Sequence, residues 1–338
     1  MKEQFLNVFK DVTKYGTKIP KENYLMKGKY PIFDQGQEYI AGYTNEENGI
    51  YSDVPIILFG DHTRIIKYID VPCFLGADGV KLLKAKKENA NYKYLYYALC
   101  HAHIPNTGYN RHFKWLKEIN IIFPSNEEQQ KIAAVLDKVS DLIALRKKQL
   151  EKLEELVKAC FVEMFGDPIY NSQHFPTTEF VNVVTLQRGY DLPVYNRNSG
   201  GLIPIYGANG ILDYHNEAKS RNGVITGRSG TIGKVYYCEG FFWPLNTTLF
   251  SIDNHGNNVI YLAYLLQYFN LKRFYDGTGV PTLNRNIIHK KQIINIPIEL
   301  QEQFANFVTK VDKQKLTIQK SLDKLEILKK ALMQQYFG

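Results

Sequence analysis

Residues 127–166 read EEQQKIAAVLDKVSDLIALRKKQLEKLEELVKACFVEMFG, and this stretch decides how the chain is organised. It contains no proline, and its only glycine is the last residue. Its apolar residues recur three and four positions apart, interrupted once by Arg146, and they are Leu136, Val139, Ile143, Leu150, Leu153, Val157, Cys160 and Met164. This spacing is typical of a coiled-coil seam rather than of the wider stripe of a globular helix. It predicts one helix that is roughly 57 Å long, at about 1.5 Å per residue.

A second stretch of the same kind, Gln301 to Gly338, closes the sequence. Lys315 and Lys329 occupy two places in its seam, and the apolar seam residues are Val311, Ile318, Leu322, Leu325, Leu332 and Tyr336. We expect most of each seam to pack against the other helix. The three cations in the seams either fix the helix register, contact a partner protein, or lie at partly exposed edges.

Internal repetition divides the chain into two halves. Five short matches lie 171 to 174 residues apart, and they are Pro31-Ile32-Phe33 with Pro204-Ile205-Tyr206, Thr107-Gly108 with Thr278-Gly279, Pro124 with Pro297, Glu128-Gln129 with Glu302-Gln303, and Phe165-Gly166 with Phe337-Gly338. The predicted segments are a first mixed domain at 1–124, a helix at 125–166, a second mixed domain at 167–298 that begins with a linker at 167–175, and a helix at 299–338.

Both mixed domains are predicted to be α+β. Short β-like runs broken by turn signals alternate with one helical patch in each half. The predicted strands are Pro55–Phe59 and Ile65–Ile69 in the first half, and Gly223–Thr226, Lys234–Tyr237 and Thr248–Ile252 in the second. The helical patches are Tyr92–His103 and Val259–Phe274. Pro168 ends the first long helix, because proline cannot continue it.

Composition narrows the class of protein. Lys and Arg total 42 against 34 Asp and Glu, which gives a net charge of +8. This balance favours a polyanionic partner, although it also serves solubility alone. Four dispersed cysteines indicate neither a disulfide framework nor a zinc knuckle. Without a run of eighteen apolar residues or a signal peptide, we expect a cytoplasmic protein that does not enter a membrane.

Catalytic motifs are not found in the sequence. The string GRSGTIGK at 227–234 resembles a phosphate loop, but Arg228 stands where a Walker loop needs glycine and Val235 where it needs Ser or Thr. His101 and His103 are the closest histidines, and no HExxH motif accompanies them. The Asn/Asp-Pro-Pro-aromatic loop of amino-methyltransferases is also missing. Neither a metal site nor an assembled nucleophile, base and orienting acid is predicted.

Polar turns carry the chemistry of binding instead. Gly108–Trp115 and Gly277–Asn286 each place Asn and Arg after a glycine turn, and Asp61–Arg64 and Gly227–Gly230 each follow a predicted strand. Asn can pair with adenine and Arg with guanine or phosphate, whereas Lys is expected to contact phosphate. Ordinary turn capping explains the same residues and stays open. The candidate DNA contacts are Gln35, His62, Arg64, Asn110, Arg111, His112 and Lys114 in the first half and Asn209, Arg228, Lys234, Asn284 and Arg285 in the second.

The order and duplication of these strings carry a family resemblance. In the first half they are FDQG (33–36), IAGYT (40–44), FGDHTR (59–64), GADGV (76–80) and YNRH (109–112). In the second they are IYGANG (205–210), GRSGTIGKV (227–235), WPLNTT (243–248) and GVPTLNR (279–285). Together with the two long helices, they make the whole chain resemble the specificity subunit of a type I restriction-modification system.

The resemblance implies a non-catalytic, DNA-binding protein. In the family, two target-recognition domains each read half of a bipartite site on double-stranded DNA. Two long helices pack as an antiparallel coiled coil, set the spacer and dock two modification subunits, so Arg146, Lys315 and Lys329 become candidate partner contacts. The modification subunits carry S-adenosylmethionine, restriction subunits use ATP and Mg²⁺, and no cofactor is expected on this chain. Because GDHTR and GRSGTIGK differ, the two half-sites should differ.

Two other classes of function remain open from the residues. A coiled-coil scaffold without sequence-specific DNA binding accounts for the helices but leaves the duplicated Gly-Asn-Arg turns unexplained. A self-sufficient DNA methyltransferase or nuclease accounts for the turns, but the missing methyltransferase loop argues against it.

Overall fold

The computed structural model describes residues 1–76, 79–276 and 281–338. The strings at 76–80 and 277–286 therefore lie partly outside the described residues, as does the Thr278-Gly279 match. The chain divides into two compact units: unit 1 holds Met1–Lys147 and Lys320–Gly338, and unit 2 holds Lys148–Gln319. The division cuts through both long helices, and the segment boundaries expected from the sequence stay a prediction.

In the part of unit 1 that the structure describes, nine short strands combine with helices. The strands are β1 (Lys2–Gln4), β2 (Phe9–Asp11), β3 (Tyr30–Phe33), β4 (Gly42–Thr44), β5 (Ile56–Gly60), β6 (Ile66–Ile69), β7 (Phe74–Leu75), β8 (Val80–Ala85) and β9 (Asn120–Ile122). The helices are α1 (Phe5–Val8), α2 (Tyr92–His101), α3 (Phe113–Leu116) and the first part of α4 (Asn126–Phe165). Short 3₁₀ turns lie at Thr13–Tyr15 and Lys21–Asn23.

Unit 2 has a similar, though not identical, order of elements. Its strands are β10 (Thr177–Glu179), β11 (Thr185–Arg188), β12 (Ile203–Gly207), β13 (Gly210–His215), β14 (Ser220–Gly227), β15 (Val235–Pro244), β16 (Thr248–Asp253), β17 (Tyr275–Asp276), β18 (Thr282–Leu283) and β19 (Gln292–Ile294). Its helices are α5 (Val259–Tyr268), α6 (Arg285–His289) and the first part of α7 (Ile298–Phe337). Short 3₁₀ turns lie at Phe180–Asn182, Val194–Asn196 and Leu271–Phe274.

The sheets of the two units have the same strand order. Unit 1 has a four-stranded sheet β2-β8-β5-β6 and a three-stranded sheet β4-β3-β7, while unit 2 joins the equivalents into one six-stranded sheet, β11-β16-β14-β15-β12-β13. In both units one parallel pair occurs at the same place, Ile32 beside Phe74 and Ile205 beside Trp243. The predicted α+β class, internal repeat and strand positions are confirmed.

A buried glutamine joins each long helix to its unit. Gln129 Oε1 accepts from the backbone N–H of Asn91 at 3.0 Å, and Gln301 Oε1 accepts from that of Asn258 at 2.9 Å. Each of these asparagines caps the helix that follows it, α2 or α5. The match of Gln129 with Gln303 predicted from the sequence is therefore wrong by two residues, because the buried, bonded glutamine of the second half is Gln301.

The two long helices are confirmed: α4 begins one residue before Glu127 and α7 three residues before Gln301, where the two quoted stretches start. Every predicted seam position is buried or half-buried, including Arg146, Lys315 and Lys329. The prediction of a narrow apolar seam is wrong at the ends of α4, however. Ile132 and Ala133 on one side and Phe161 on the other are also buried, because the ends of α4 pack into the apolar cores of the units.

Each unit is completed by the end of the helix that begins in the other half of the sequence. The Phe337 ring at the end of α7 lies 5.2 Å from the Tyr94 ring in unit 1. The Phe165 ring at the end of α4 lies 5.1 Å from the Tyr261 ring in unit 2. This exchange is what an antiparallel pair of helices gives, and it explains the Phe-Gly match between the two halves.

Candidate nucleic-acid interface

A groove of about 270 Å³ opens at one end of the unit 1 sheet, where β5 ends at Gly60 and β8 begins at Val80. We call it the first groove. Its polar lining includes Lys18, Asp61, His62, Lys81 and Arg111. The Lys81 Nζ atom lies 3.1 Å from the Asp11 carboxylate. The three cations Lys18, Lys81 and Arg111 thus exceed the two carboxylates, Asp61 in the lining and Asp11 beside Lys81, by one positive charge, which favours an anion.

His112 is fully buried. The predicted DNA contact is therefore wrong for this residue, which has a structural role. Its Nδ1 atom lies 3.0 Å from the Asp61 carbonyl oxygen, which can only accept, so Nδ1 carries the proton. Its Nε2 atom accepts from the Thr107 N–H at 3.5 Å. The Asp61 carboxylate accepts from the Phe113 N–H at 2.7 Å, which caps α3. His112 and Asp61 thus hold two loops together.

Replacing His112 with Ala is expected to lower the free energy of unfolding by about 2–4 kcal/mol, because it leaves a cavity and removes the ring N–H that donates to the Asp61 carbonyl, which then keeps only the bond from the backbone N–H of residue 112. The neighbouring Arg111 is exposed, so Arg111→Ala should change that free energy by less than about 0.5 kcal/mol. Chemical denaturation of both variants measures the difference. Equal stabilities of the two variants would contradict the structural role of His112.

Gln35 and Arg64 are half-buried and support the loop that carries His62. Gln35 Oε1 accepts from the His62 N–H at 3.1 Å, and the Arg64 guanidinium donates to the Ile104 carbonyl at 3.1 Å. Gly79 permits the close approach, since a Cβ atom there would lie 2.3 Å from Gln35 Nε2. In this conformation both side chains position the loop, and their contact with DNA stays a prediction.

Asn110, Arg111 and Lys114 are exposed. The Asn110 amide donates to the Thr107 carbonyl oxygen, as turn capping requires. The Lys114 Nζ atom lies 4.8 Å from the centre of the Trp115 ring. Of these three predicted contacts, Arg111 alone belongs to the lining of the first groove that the structure describes.

Unit 2 has a groove of about 290 Å³, which we call the second groove. Arg188, Arg228 and Arg285 line it together with Asn284 and Asn286. No carboxylate occurs among its described lining residues. Three guanidinium groups without a facing acid make a strong anion site, because each presents several donors in a fixed fork.

Backbone hydrogen bonds hold the loops that form the second groove. The Arg228 N–H donates to the Thr247 carbonyl, and the Leu283 N–H donates to the Arg228 carbonyl, both at 2.8 Å. Asn284 Oδ1 accepts from the Asn286 N–H at 3.0 Å and caps α6. The loop after β14 and the start of α6 are therefore held side by side. This places Arg228 and Arg285 at one groove, although they are far apart in sequence.

A histidine anchors the other end of α6. His289 Nε2 accepts from the Leu186 N–H at 3.0 Å, so this nitrogen is unprotonated. Burial, followed by the positive charge of Arg285, lowers the pKa of His289 below its ordinary value. The neutral ring thus ties α6 to β11, the strand that ends at Arg188.

The Asn-Arg pairs that follow the two glycine turns do not occupy equivalent places in the fold. Asn284 is the N-cap residue of α6, whereas the N-cap residue of α3 is His112. Asn110 and Arg111 therefore precede their helix, and Asn284 and Arg285 begin theirs. The two Asn-Arg pairs share residue types but hold different places in the fold.

Asn209 and Lys234 are exposed and do not belong to the described lining of the second groove. Asn209 lines a separate pocket of about 420 Å³ with Tyr206, Tyr236 and Tyr264. Lys234 lies in the loop between β14 and β15. Their predicted contact with DNA stays a prediction.

Sequence reasoning missed three cations at the grooves. Lys18 and Lys81 line the first groove and Arg188 lines the second. Arg188 ends β11 and Lys81 is the second residue of β8, two strands that the sequence pattern does not predict, and Lys18 lies outside the strands. No turn motif marks them.

Strand register shows how the grooves differ. Gly60 pairs with Val80 and Gly227 with Thr248, so Asp61 in unit 1 corresponds to Arg228 in unit 2. Phe59 pairs with Lys81 as Thr226 pairs with Leu249, so a lysine in unit 1 corresponds to a leucine in unit 2. At equivalent backbone positions, the acidic Asp61 of unit 1 thus corresponds to the basic Arg228 of unit 2, and the basic Lys81 to the uncharged Leu249.

The seam cations differ in their surroundings. In unit 1, Lys329 Nζ lies 5.7 Å from the centre of the Tyr97 ring, near the ion pair of Lys147 with Glu326 at 3.4 Å. Arg146 in unit 1 and Lys315 in unit 2 are half-buried. Their role as partner contacts stays a prediction.

Among residues 1–76, 79–276 and 281–338, no group of three or more His, Cys, Asp or Glu side chains could hold a metal ion. None of the helices in the same ranges is long and apolar enough to cross a membrane.

A family model described as the type I restriction modification DNA specificity domain matches residues 7–155 and again residues 173–327. The specificity subunit of Escherichia coli type I restriction enzymes EcoR124I and EcoR124II is 31% identical over 166 residues, which are 41% of this chain and 40% of that protein. The MjaIX specificity subunit of Methanocaldococcus jannaschii is 26% identical over 263 residues, 64% of this chain and 60% of that protein. The chain thus matches less than two thirds of the length of either relative.

Solved structures share the fold. The crystal structure of a type I restriction-modification S subunit from M. genitalium superposes with a TM-score of 0.71 at 19% identity, over 100% of this chain and 96% of that one. A chain from a structure of a type I restriction-modification system, determined to explain complex assembly and conformational transition, gives a TM-score of 0.52 at 14% identity, over 98% and 94%.

Proposed function

The chain belongs to the family of type I restriction modification DNA specificity domains, and from this premise we propose that it selects the DNA sequence on which a type I complex acts. Each unit reads one half of a bipartite site on double-stranded DNA. The chain itself performs no chemistry and binds no cofactor. S-adenosylmethionine, ATP and Mg²⁺ belong to its partner subunits.

The second groove is the observation that carries this proposal. Its three arginines and two asparagines converge at loops supported by a sheet. Arginine binds phosphate and the major-groove edge of guanine, and asparagine binds that of adenine. A protein-binding scaffold has no need of this set. The missing methyltransferase loop speaks against a self-sufficient enzyme.

The difference between the grooves supports an asymmetric site. At equivalent positions, the first groove has Asp61 where the second has Arg228, and Lys81 where the second has Leu249. Asp61 is buried and bonded to the start of α3, so the first groove lacks a cation at the place where the Arg228 guanidinium can donate to guanine or phosphate in the second. The two half-sites therefore differ in sequence.

The long helices carry the assembly role. We assign to them the spacing of the half-sites and the docking of two modification subunits, which restriction subunits join. Arg146, Lys315 and Lys329 are the proposed partner contacts, because these three cations lie half-buried in the seams of the helices to which we assign the docking. Simple adjustment of helix register is the competing role.

The expected result in cells is N6-methyladenine at one bipartite, asymmetric motif, present with the gene and its modification partner and lost when this gene is deleted. Sequencing of modified bases measures it. A gel shift with the purified chain, with and without the modification subunit, separates the alternatives: a scaffold gives no sequence-selective shift, and an enzyme modifies DNA alone. Unchanged methylation after deletion would contradict the proposal.

A further inference from the structure

An exposed aromatic ring stands at the rim of the first groove. Tyr109 is 88% exposed, although large aromatic side chains usually gain stability by burial. Its ring lies parallel to the His62 ring, with centres 4.7 Å apart and an angle of 9° between the planes. His62 covers one face of the tyrosine, so the exposed area belongs to the other face and the edges.

The loop that carries Tyr109 is held by its own hydrogen bonds. The Gly108 N–H donates to Asn106 Oδ1 at 3.2 Å, and the Asn110 N–H donates to the Gly108 carbonyl at 2.9 Å. Gly108 has a φ of +76°, which glycine adopts without strain. Beneath the loop, buried His112 accepts from the Thr107 N–H. The ring is thus presented by an ordered loop although it is not packed in the core.

The chemistry next to the ring is cationic. His62 lines the first groove, and Lys18, Lys81 and Arg111 line it too. A flat π face next to several cations fits a nucleobase whose phosphates lie in the groove, since bases stack on aromatic side chains and phosphates attract cations. An apolar protein partner would meet desolvated lysine and arginine at the same place, which is unfavourable.

We propose that Tyr109, backed by His62, is a stacking platform for one nucleobase of the half-site that unit 1 reads. The base is one that has left the duplex stack or borders an opened base step, because a paired base inside intact DNA has no free face to offer. This assignment rests on the proposed DNA-binding function and deepens it.

The platform belongs to the first half of the chain. Residues 277–283 read GTGVPTL, the stretch before Asn284 in the second half, and contain no aromatic residue. Residues 277–280 lie outside the described residues, so this comparison rests on sequence. One stacked base is therefore expected per site, in one half-site.

A double-mutant cycle between protein and DNA tests the platform. The first probe is a fluorescent duplex that is selected for binding by the wild-type chain with its modification subunits. The second is a series of the same duplex, each member of which lacks the base at one position. Tyr109→Ala should weaken binding of the intact duplex about 10-fold. At one position of the half-site read by unit 1, removing the base should lower the DNA affinity of the wild-type chain but should not lower that of Tyr109→Ala any further.

Two variants serve as controls. Tyr109→Phe keeps the ring and should bind as wild type does. Tyr170→Ala removes a tyrosine of similar exposure, 82%, from the segment between α4 and β10, and should also bind normally. Because both tyrosines are exposed, thermal unfolding should show folded variants.

Three outcomes would overturn the platform while leaving the proposed function intact: unchanged affinity of Tyr109→Ala, additive losses at every position, or a loss in Tyr109→Phe equal to that in Tyr109→Ala. A variant that fails to assemble with the modification subunits but binds DNA normally would assign Tyr109 to a protein interface instead. Failure of the wild-type complex to select any duplex would instead contradict the proposed function.

Discussion

Replacing Phe165 with Ala is expected to lower the free energy of unfolding by about 3–5 kcal/mol. The side chain is fully buried, and its ring centre lies 5.0 Å from that of Phe161, 5.1 Å from Tyr261 and 5.6 Å from Phe304. Truncation leaves a cavity among aromatic rings that cannot collapse without breaking their mutual contacts. Urea denaturation followed by circular dichroism measures the change.

Phe337→Ala is the matched control, because it truncates the corresponding residue at the end of α7. Phe337 is half-buried and lies against Tyr94 at the end of the chain, so its loss should cost less than that of Phe165. An equal or larger loss in Phe337→Ala would contradict the account. So would a loss below about 1 kcal/mol in Phe165→Ala, since surface substitutions reach half that value.

The long helices could be predicted because their signal is local and repeats many times. Each seam residue indicates the same face, so Arg146, Lys315 and Lys329 are found half-buried where the pattern places them. The extra burial of Ile132 and Phe161 could not be predicted. It arises from packing against strands and helices distant in sequence, which heptad spacing does not encode.

The site was less predictable because adjacent loop residues have opposite roles. Arg111 is exposed at a groove, and His112 is buried and bonded to Asp61. No periodicity distinguishes two neighbours in a turn, since the direction of each side chain depends on hydrogen bonds to another loop. The two Asn-Arg pairs look alike in sequence for a related reason. Asn110 and Arg111 lie before the N-cap residue of α3, whereas Asn284 is itself the N-cap residue of α6.

Groove membership likewise depends on strand register. Arg188 and Arg285 are separated by nearly a hundred residues and come together because β11 and β14 flank β16 while α6 is tied to β11 by His289. A single sequence shows the strands but not their order. The correspondence of Asp61 with Arg228 can be recognised only when the sheets of the two units are compared.

Removing the three guanidinium groups of the second groove is expected to have the largest effect on DNA binding. In the Arg188→Ala, Arg228→Ala, Arg285→Ala triple variant, affinity for the cognate duplex should fall more than about 100-fold, since each good arginine contact contributes about 1–3 kcal/mol. Every arginine that binds phosphate also contributes about 0.9 to the slope of log affinity against log salt. Fluorescence anisotropy at several salt concentrations measures both quantities.

The salt series assigns a role to each arginine. An arginine that binds phosphate lowers the salt slope when it is replaced singly and weakens all sequences alike, whereas one that reads a base relaxes specificity at one position. A control variant with Lys158, Lys310 and Lys313 changed to Ala removes the same charge from exposed positions on the long helices of unit 2. If the control loses as much affinity as the arginine variant, net charge alone accounts for binding and the second groove has no special part in it. A loss confined to the arginine variant means that the converging geometry of Arg188, Arg228 and Arg285 determines the interaction.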